Sequence, residues 1–366
     1  MKLKKRFFLL SFLTIGVLAN AAPRFSVAGF YPLENTGRTV HSMNPAWRFH
    51  KGDISNAWHA TFDDAQWQIV SLPHGIEELP VEASGCVNYQ GVVWYRKYFD
   101  LPSTLKGKKL FLHFEAIMGK SKVWINGKMV KEHFGGYLPL IIDATEYLDF
   151  DKKNVIAVRA DNSDDPIYPP GKQQDMLDFA YLGGIYRDCW LIAHNDVFIS
   201  DANYVDKTAS GGLFVSYGKV SEQFAEARIK VHVKNEKNAC FRGKVRYELL
   251  DKQDNIVAAS ESAISIASGG DISVEKLFGL KNPNLWSPER PYLYNLCVYV
   301  KDSRGKIVDG YRRRVGIRSV EFNGKEGFWL NGKPYGKPII GANRHQDYAV
   351  VGNAVSNNLH WRDAVK

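Results

Sequence analysis

Hydrophobic and polar positions alternate with a period of two along most of the chain, and stretches with a helical period are scarce. In "KKLFLHFEAI" (108–117), Leu110, Leu112 and Phe114 point one way and Phe111, His113 and Glu115 the other, as in a half-buried strand. "SKVWINGKMVKEH" (121–133) sets Asn126-Gly127 between two extended runs. Asn-Gly accepts the positive φ angles of a type I′ turn, so the segment predicts a hairpin. "NVIAVRADN" and "GIYRDCWLIA" supply further strands. Short strands divided by turn signals predict a mainly β protein that opens with a jelly-roll sandwich over 22–195.

The alternation is cleaner over 196–318. In "ARIKVHVKN", Ile229, Val231 and Val233 oppose Arg228, Lys230, His232 and Lys234, and "KVRYELL" and "YLYNLCVYV" repeat the pattern. This predicts a second, immunoglobulin-like sandwich with a spacer role, since its faces read only as core and solvent. From 319 to 366 the texture changes. Two Asn-Gly-Lys turns precede the apolar strand "KPIIG", a polar cluster follows, and then "VSNNLHWRDAVK", where Ser356 or Asn357 can cap a helix. Strand, loop and helix start are the opening unit of an α/β domain. With no neighbouring strands, "KPIIG" leaves backbone groups unpaired, so 320–366 is expected to fray.

The formal charge of +9 changes once the leader is recognised. Lys2, Lys4, Lys5 and Arg6 precede the apolar run Phe7 to Leu18 and an Ala-Asn-Ala site at 19–21, the pattern of a secretory signal peptide over 1–21. The run is short of the roughly 20 residues a membrane span needs. The leader carries four positive and no negative charges, so +5 remains. The chain is therefore expected to be exported, to the periplasm or the exterior. The densest basic run, Arg312 to Arg314, reads as a solvated strand face and not as a nucleic-acid site. Cys86, Cys189, Cys240 and Cys297 lack metal-ligand spacing, and Cys297 reads as a small buried hydrophobe.

Two places could carry chemistry. Asn343, Arg344, His345 and Asp347 follow the apolar strand, where a (β/α)8 barrel carries its reactive side chains. Such donors and acceptors suit vicinal hydroxyls or charge developing in a transition state, and equally a polar loop that binds nothing. "RADNSDDPIYPPGKQQD" (159–175) is a long polar loop with four aspartates. Loops of this length are often functional. Its spacing lacks the EF-hand order, which favours a solvated loop over a Ca²⁺ site.

With these residues in view, the chain resembles the N-terminal part of a family 2 glycoside hydrolase of the β-galactosidase kind. "GVVWYRKYFDLP" (91–102), "VWINGKMVKEHFGGYLPLIIDAT" (123–145) and "YLGGIYRDCWLI" (181–192) are similar to that family's sugar-binding jelly roll. "RRRVGIRSVEF" (312–322) resembles the exit from its immunoglobulin-like domain. "FWLNGKP", "GANRHQDY" and "GNAVSNNLHWRDAVK" resemble the first strand and helix of its barrel. The resemblance implies that 319–366 is the start of an incomplete barrel. It implies a retaining mechanism with two glutamates about 5–5.5 Å apart, both expected beyond Lys366, so the chain by itself is expected to be inactive.

By the same resemblance, His345 matches a histidine that contacts substrate, while Asn343 and Arg344 shape the same strand end. Asp161 or Asn162 matches the jelly-roll acid that hydrogen-bonds the sugar, and Asn88 a substrate-contacting asparagine. Arg344 leans the reading toward galactosidase over glucuronidase. The implied partner is a β-linked oligosaccharide or galactoside, with a complementing C-terminal chain or a homo-oligomer as further partners. No metal is expected in this chain; the parent enzyme's Mg or Na ligands would lie largely beyond it. The alternatives are a non-catalytic carbohydrate-binding protein and a β-glucuronidase-type parent.

Overall fold

A computed structural model describes residues 26–80, 88–169, 171–179, 182–341 and 348–360. The stretch expected to be a signal peptide, Cys86 and the Asn343–Arg344–His345 stretch lie outside them.

The first sandwich opposes a six-stranded and a four-stranded antiparallel sheet. The larger runs, edge to edge, Gln68–Val70, Trp47–Lys51, Val92–Phe99, Asn154–Asp161, Lys120–Ile125 and Lys128–Phe134. The smaller runs Thr39–Ser42, Cys189–His194, Lys109–Phe114 and Leu140–Asp143. Between them, Trp47, Tyr95, Leu110, Leu112, Phe114, Ile125, Ile156 and Val158 fill the core. The Asn126-Gly127 hairpin forms as the turn chemistry predicts, with φ of 51° and 82°. The outer face of the larger sheet is partly roofed by residues 53–67. Under that roof the buried Arg96 guanidinium donates to Asp64 Oδ2 at 2.7 Å.

The second sandwich pairs a five-stranded sheet, Tyr31–Pro32, Ile307–Val315, Tyr294–Asp302, Phe241–Leu250 and Ile256–Ile266, with a sheet built on Phe224–Asn235. Asp271–Lys281 pairs along one side of that strand, and Leu213–Val220 and Val197–Ile199 share the other. One of the five strands, Tyr31–Pro32, comes from the start of the chain.

Two strand-face expectations fail, one through contact between the sandwiches and one through a loop of the second sandwich folding back over its own strand. Phe111 and His113 are buried, because the second sandwich covers the outer face of the smaller sheet. There Phe111, Ile141 and Ile192 continue into a core with Phe198, Ile199 and Tyr311. His232, on the row expected to face solvent, is also buried, with Ser200 Oγ 2.7 Å from its Nδ1. Arg312 turns out buried, leaving only Arg313 and Arg314 of the basic run exposed. Across the junction Arg38 forms a two-pronged pair with the buried Asp309, at 2.9 and 2.7 Å, and also donates to Ile199 O. Cys189, Cys240 and Cys297 are free thiols; Cys297 is buried, which pushes its pKa up to about 11.

The last segment departs from expectation in both directions. Val320–Phe322, Phe328–Leu330 and Lys333–Pro334 form a small three-stranded sheet, turned by Asn331 and Gly332 at φ of 55° and 74°. "KPIIG" forms no strand: Ile339 and Ile340 are 63% and 93% exposed. An extended segment without a neighbour has no ladder to join. The chain then returns to the first sandwich. Leu79 and Val350 form a β-bridge, and Ala354 packs with Leu79, Met118, Leu182 and Tyr186. Asn358 N–H reaches the Ser356 hydroxyl at 3.4 Å as a helical turn opens at 357–360. Nothing among the described residues closes into a barrel.

Candidate functional site

The strands Val92–Phe99 and Asn154–Asp161 run antiparallel, so the start of one meets the end of the other at a single corner of the first sandwich. Three loops converge there: 72–80, 88–91 and the long segment after Asp161. Short loops in compact domains expose backbone amides and carbonyls that need partners, and here side chains distant in sequence supply them. Asn162, 1% exposed, accepts from Gly91 N–H at 2.9 Å and donates to Tyr89 O at 2.9 Å. Glu77 accepts from Tyr89 N–H at 2.8 Å. The buried Gln174 donates to both Asn88 Oδ1 and Asn88 O, at 2.7 and 3.1 Å, while its own N–H reaches Asp164.

Asp161 differs from its neighbour. Its carboxylate accepts from Ser163 N–H and Oγ, at 3.0 and 2.6 Å, lies 3.9 Å from Arg159, and keeps 15% of its side chain exposed. Gly119 packs on the same turn: a Cβ there would sit 1.9 Å from Asp161 O, at a φ of 85° that favours glycine. Of the two residues the sequence left open, Asp161 is the one whose side chain reaches the surface, and Asn162 is a buried brace.

The electrostatics follow from burial and pairing. Lys51, joined to Glu77, and the Tyr89 amide hold the Glu77 carboxyl below its ordinary value. His74 hydrogen-bonds Tyr95 at 2.9 Å, and burial lowers its pKa to about 4, so it is neutral near pH 7. The aspartates of the long loop fan outward, Asp165 pairing with Lys120 at 3.0 Å and Asp164 with Gln90 at 2.6 Å. Among the described residues no group of three His, Cys, Asp or Glu side chains converges as a metal site.

The corner therefore brings together Asn88, Asp161 and Asn162. Asn343, Arg344 and His345 lie outside the described residues, but the chain just beyond them is held close by. Loop 72–80 braces Tyr89 through Glu77 and pairs with Val350 through Leu79. Further along, Ser356 Oγ donates to the buried Asp188 at 2.6 Å and Asn357 to Glu115 at 2.7 Å. Burial, with Asp188 nearby, raises the Glu115 pKa. Glu77, Gln174 and Asp188 escaped sequence reasoning, because each meets partners far along the chain with no local spacing to mark them.

The sugar binding domain of glycosyl hydrolases family 2 matches residues 42–195, and a second model of glycosyl hydrolases family 2 matches 212–318. The chain belongs to this family. Among family 2 relatives, a β-galactosidase of Thermoanaerobacter pseudethanolicus is 32% identical over 329 residues, 90% of this chain and 42% of the relative. A β-glucuronidase of Formosa agariphila is 30% identical over 315 residues, 82% of this chain and 32% of the relative. The crystal structure of Bacteroides uniformis β-glucuronidase superposes with a TM-score of 0.80 at 31% identity, covering 90% of this chain and 38% of that one. The chain thus spans about two fifths or less of the length of these family 2 proteins.

Proposed function

We propose that the chain is the amino-terminal portion of an exported, retaining β-glycosidase that removes terminal galactosyl units from β-linked oligosaccharides or galactosides. The observation that carries this reading is the Leu79–Val350 bridge. It ties Val350, in the segment that follows the Asn343–His345 motif, to the loop bracing the Asn88–Asp161 corner, which supports reading the two candidate clusters as parts of one site. In this reading Asp161 reaches the sugar from the sandwich side, Asn162 and Asn88 keep the corner in shape, and His345 with Asn343 and Arg344 contacts substrate from the barrel side. The retaining mechanism needs an acid/base and a nucleophile about 5–5.5 Å apart. Neither is supplied here, so the 366 residues alone are inactive, and Mg or Na, where used, is held by residues beyond Lys366. Nucleic acid is not a partner; a complementing C-terminal chain or a second copy is.

The mature chain, starting at Ala22 and recovered from periplasm or medium, is expected to leave nitrophenyl β-galactoside untouched. The polypeptide that continues past Lys366 is expected to cleave it in preference to the glucuronide. Hydrolysis by the isolated chain would refute the inactivity. Preference for the glucuronide would favour the second reading, which the β-glucuronidase relatives support.

A further inference from the structure

At the sandwich corner, strand register lines up three residues across the outer face of the six-stranded sheet. Asp161 is directly opposite Lys120, and Lys120 is directly opposite Phe134. Directly opposed residues project to the same face, and neighbouring strands lie about 4.8 Å apart. The row therefore leads from Asp161 to the sheet edge over about 9.6 Å. At its outer end Phe134 is 59% exposed. Its ring centroid lies 6.4 Å from that of Tyr168, with the planes inclined at 47°, so the two rings form a shallow trough. Lys120 Nζ pairs with Asp165 Oδ2 at 3.0 Å and lies 5.7 Å from the Tyr168 ring centre. Asp165 also accepts the Ile167 amide at 2.9 Å, and Ile167 itself is 90% exposed.

We propose that Phe134, Tyr168, Lys120 and Asp165 form an accessory ledge that binds a neutral pyranose unit of an oligosaccharide whose other end lies toward Asp161. The trough offers apolar ring faces to the C–H face of a sugar. The exposed Phe134 ring, backed by the half-buried Tyr168 and set beside a fixed polar pair, is the composition of a site that must grip both the apolar face and the hydroxyls of an amphipathic ring. Lys120 has three donor hydrogens and gives one to Asp165, so donors and acceptors stand side by side for vicinal hydroxyls. The two charges cancel, which favours a neutral ring over a uronate or a phosphate. Continuity with the Asp161 row argues for a sugar as occupant over a protein edge.

The proposal rests on the glycosidase reading for the choice of sugar. Titration calorimetry of the whole chain with β-1,4-galactotetraose is expected to give a Kd of about 1 mM. Phe134→Ala should weaken it about tenfold and Phe134→Trp should restore it, with unchanged melting temperatures because Phe134 is exposed. No binding by the parent chain at about 10 mM ligand, or equal binding by Phe134→Ala, overturns the proposal. So does loss of the Phe134-dependent binding in the polypeptide that continues past Lys366, which would make protein the occupant. A longer protein that fails to cleave galactosides yet binds through Phe134 refutes the glycosidase reading and leaves the ledge.

Discussion

Replacing Asn162 by alanine deletes both arms of the brace at the sandwich corner. Gly91 N–H and Tyr89 C=O lose their acceptor and donor, each 2.9 Å away, at a position that is 1% exposed. A buried polar group left unmade costs about 1–3 kcal/mol. The two losses share one side chain and partly relax together, so about 3 kcal/mol is expected in sum. For a unit of the first sandwich's size that corresponds to about 6–12 °C in melting temperature. Asn162→Asp separates the arms: the carboxylate still accepts from Gly91, but it sets an oxygen against the Tyr89 carbonyl. Amide hydrogen exchange at Gly91, read beside tryptophan-monitored urea unfolding, tests both. Gly91 should lose protection in the alanine variant and keep it in the aspartate variant, with both variants less stable than the parent. An Asn162→Ala chain melting within about 1 °C of the parent, with Gly91 still protected, would refute the brace and return Asn162 to the sugar.

Asp309→Ala leaves Arg38 buried without its carboxylate and the Ile199 amide, 2.7 Å from Asp309 Oδ2, unpaired; a loss of about 3–5 kcal/mol is expected in urea unfolding. Arg38→Met with Asp309→Leu should recover much of it, and a double variant no better than the single would contradict this. His194 is buried, stacked 3.9 Å from Phe198 and flanked by Arg38, Asp309 and Glu236; burial foremost, then Arg38, lowers its pKa to about 3. Its pKa is depressed in the folded state, so the unfolded chain binds the extra proton. The linked stability is present above about pH 6.5 and is lost as pH falls toward 3, by about 2 kcal/mol at pH 5. His194→Phe should flatten that slope, and an unchanged slope would assign it to other groups, His74 first.

Strands and turns were legible because their signals are local. Asn126-Gly127 and the alternation of Ile229, Val231 and Val233 need only neighbours in sequence to set conformation and facing. The burial of Phe111, His113 and His232 was not legible, because it depends on a second sandwich or a returning loop. The apolar composition of "KPIIG" promised a strand, yet pairing belongs to two segments and cannot be read from one. At the corner, the long polar loop after Asp161 was visible as a candidate. The choice between Asp161 and Asn162 was not, since it rests on which side chain closes back onto Tyr89 and Gly91. Gln174 reaches Asn88 across 86 positions, and no spacing rule anticipates such a bond.

The pairing of Tyr31–Pro32 with Tyr311 and Arg312 sets an order on the birth of the molecule. The two partners are separated by roughly 280 residues of synthesis, which at ~5–20 residues per second is about 15–55 s on the ribosome. Through that interval the early strand has no sheet to join, although the first sandwich around it can already close. The second sandwich, once made, waits for a strand that emerged long before it. Cutting the protein at the junction between sandwiches would therefore not yield two self-sufficient halves. The carboxyl half would keep Ile307–Val315 as a bare edge, open to the next strand it meets.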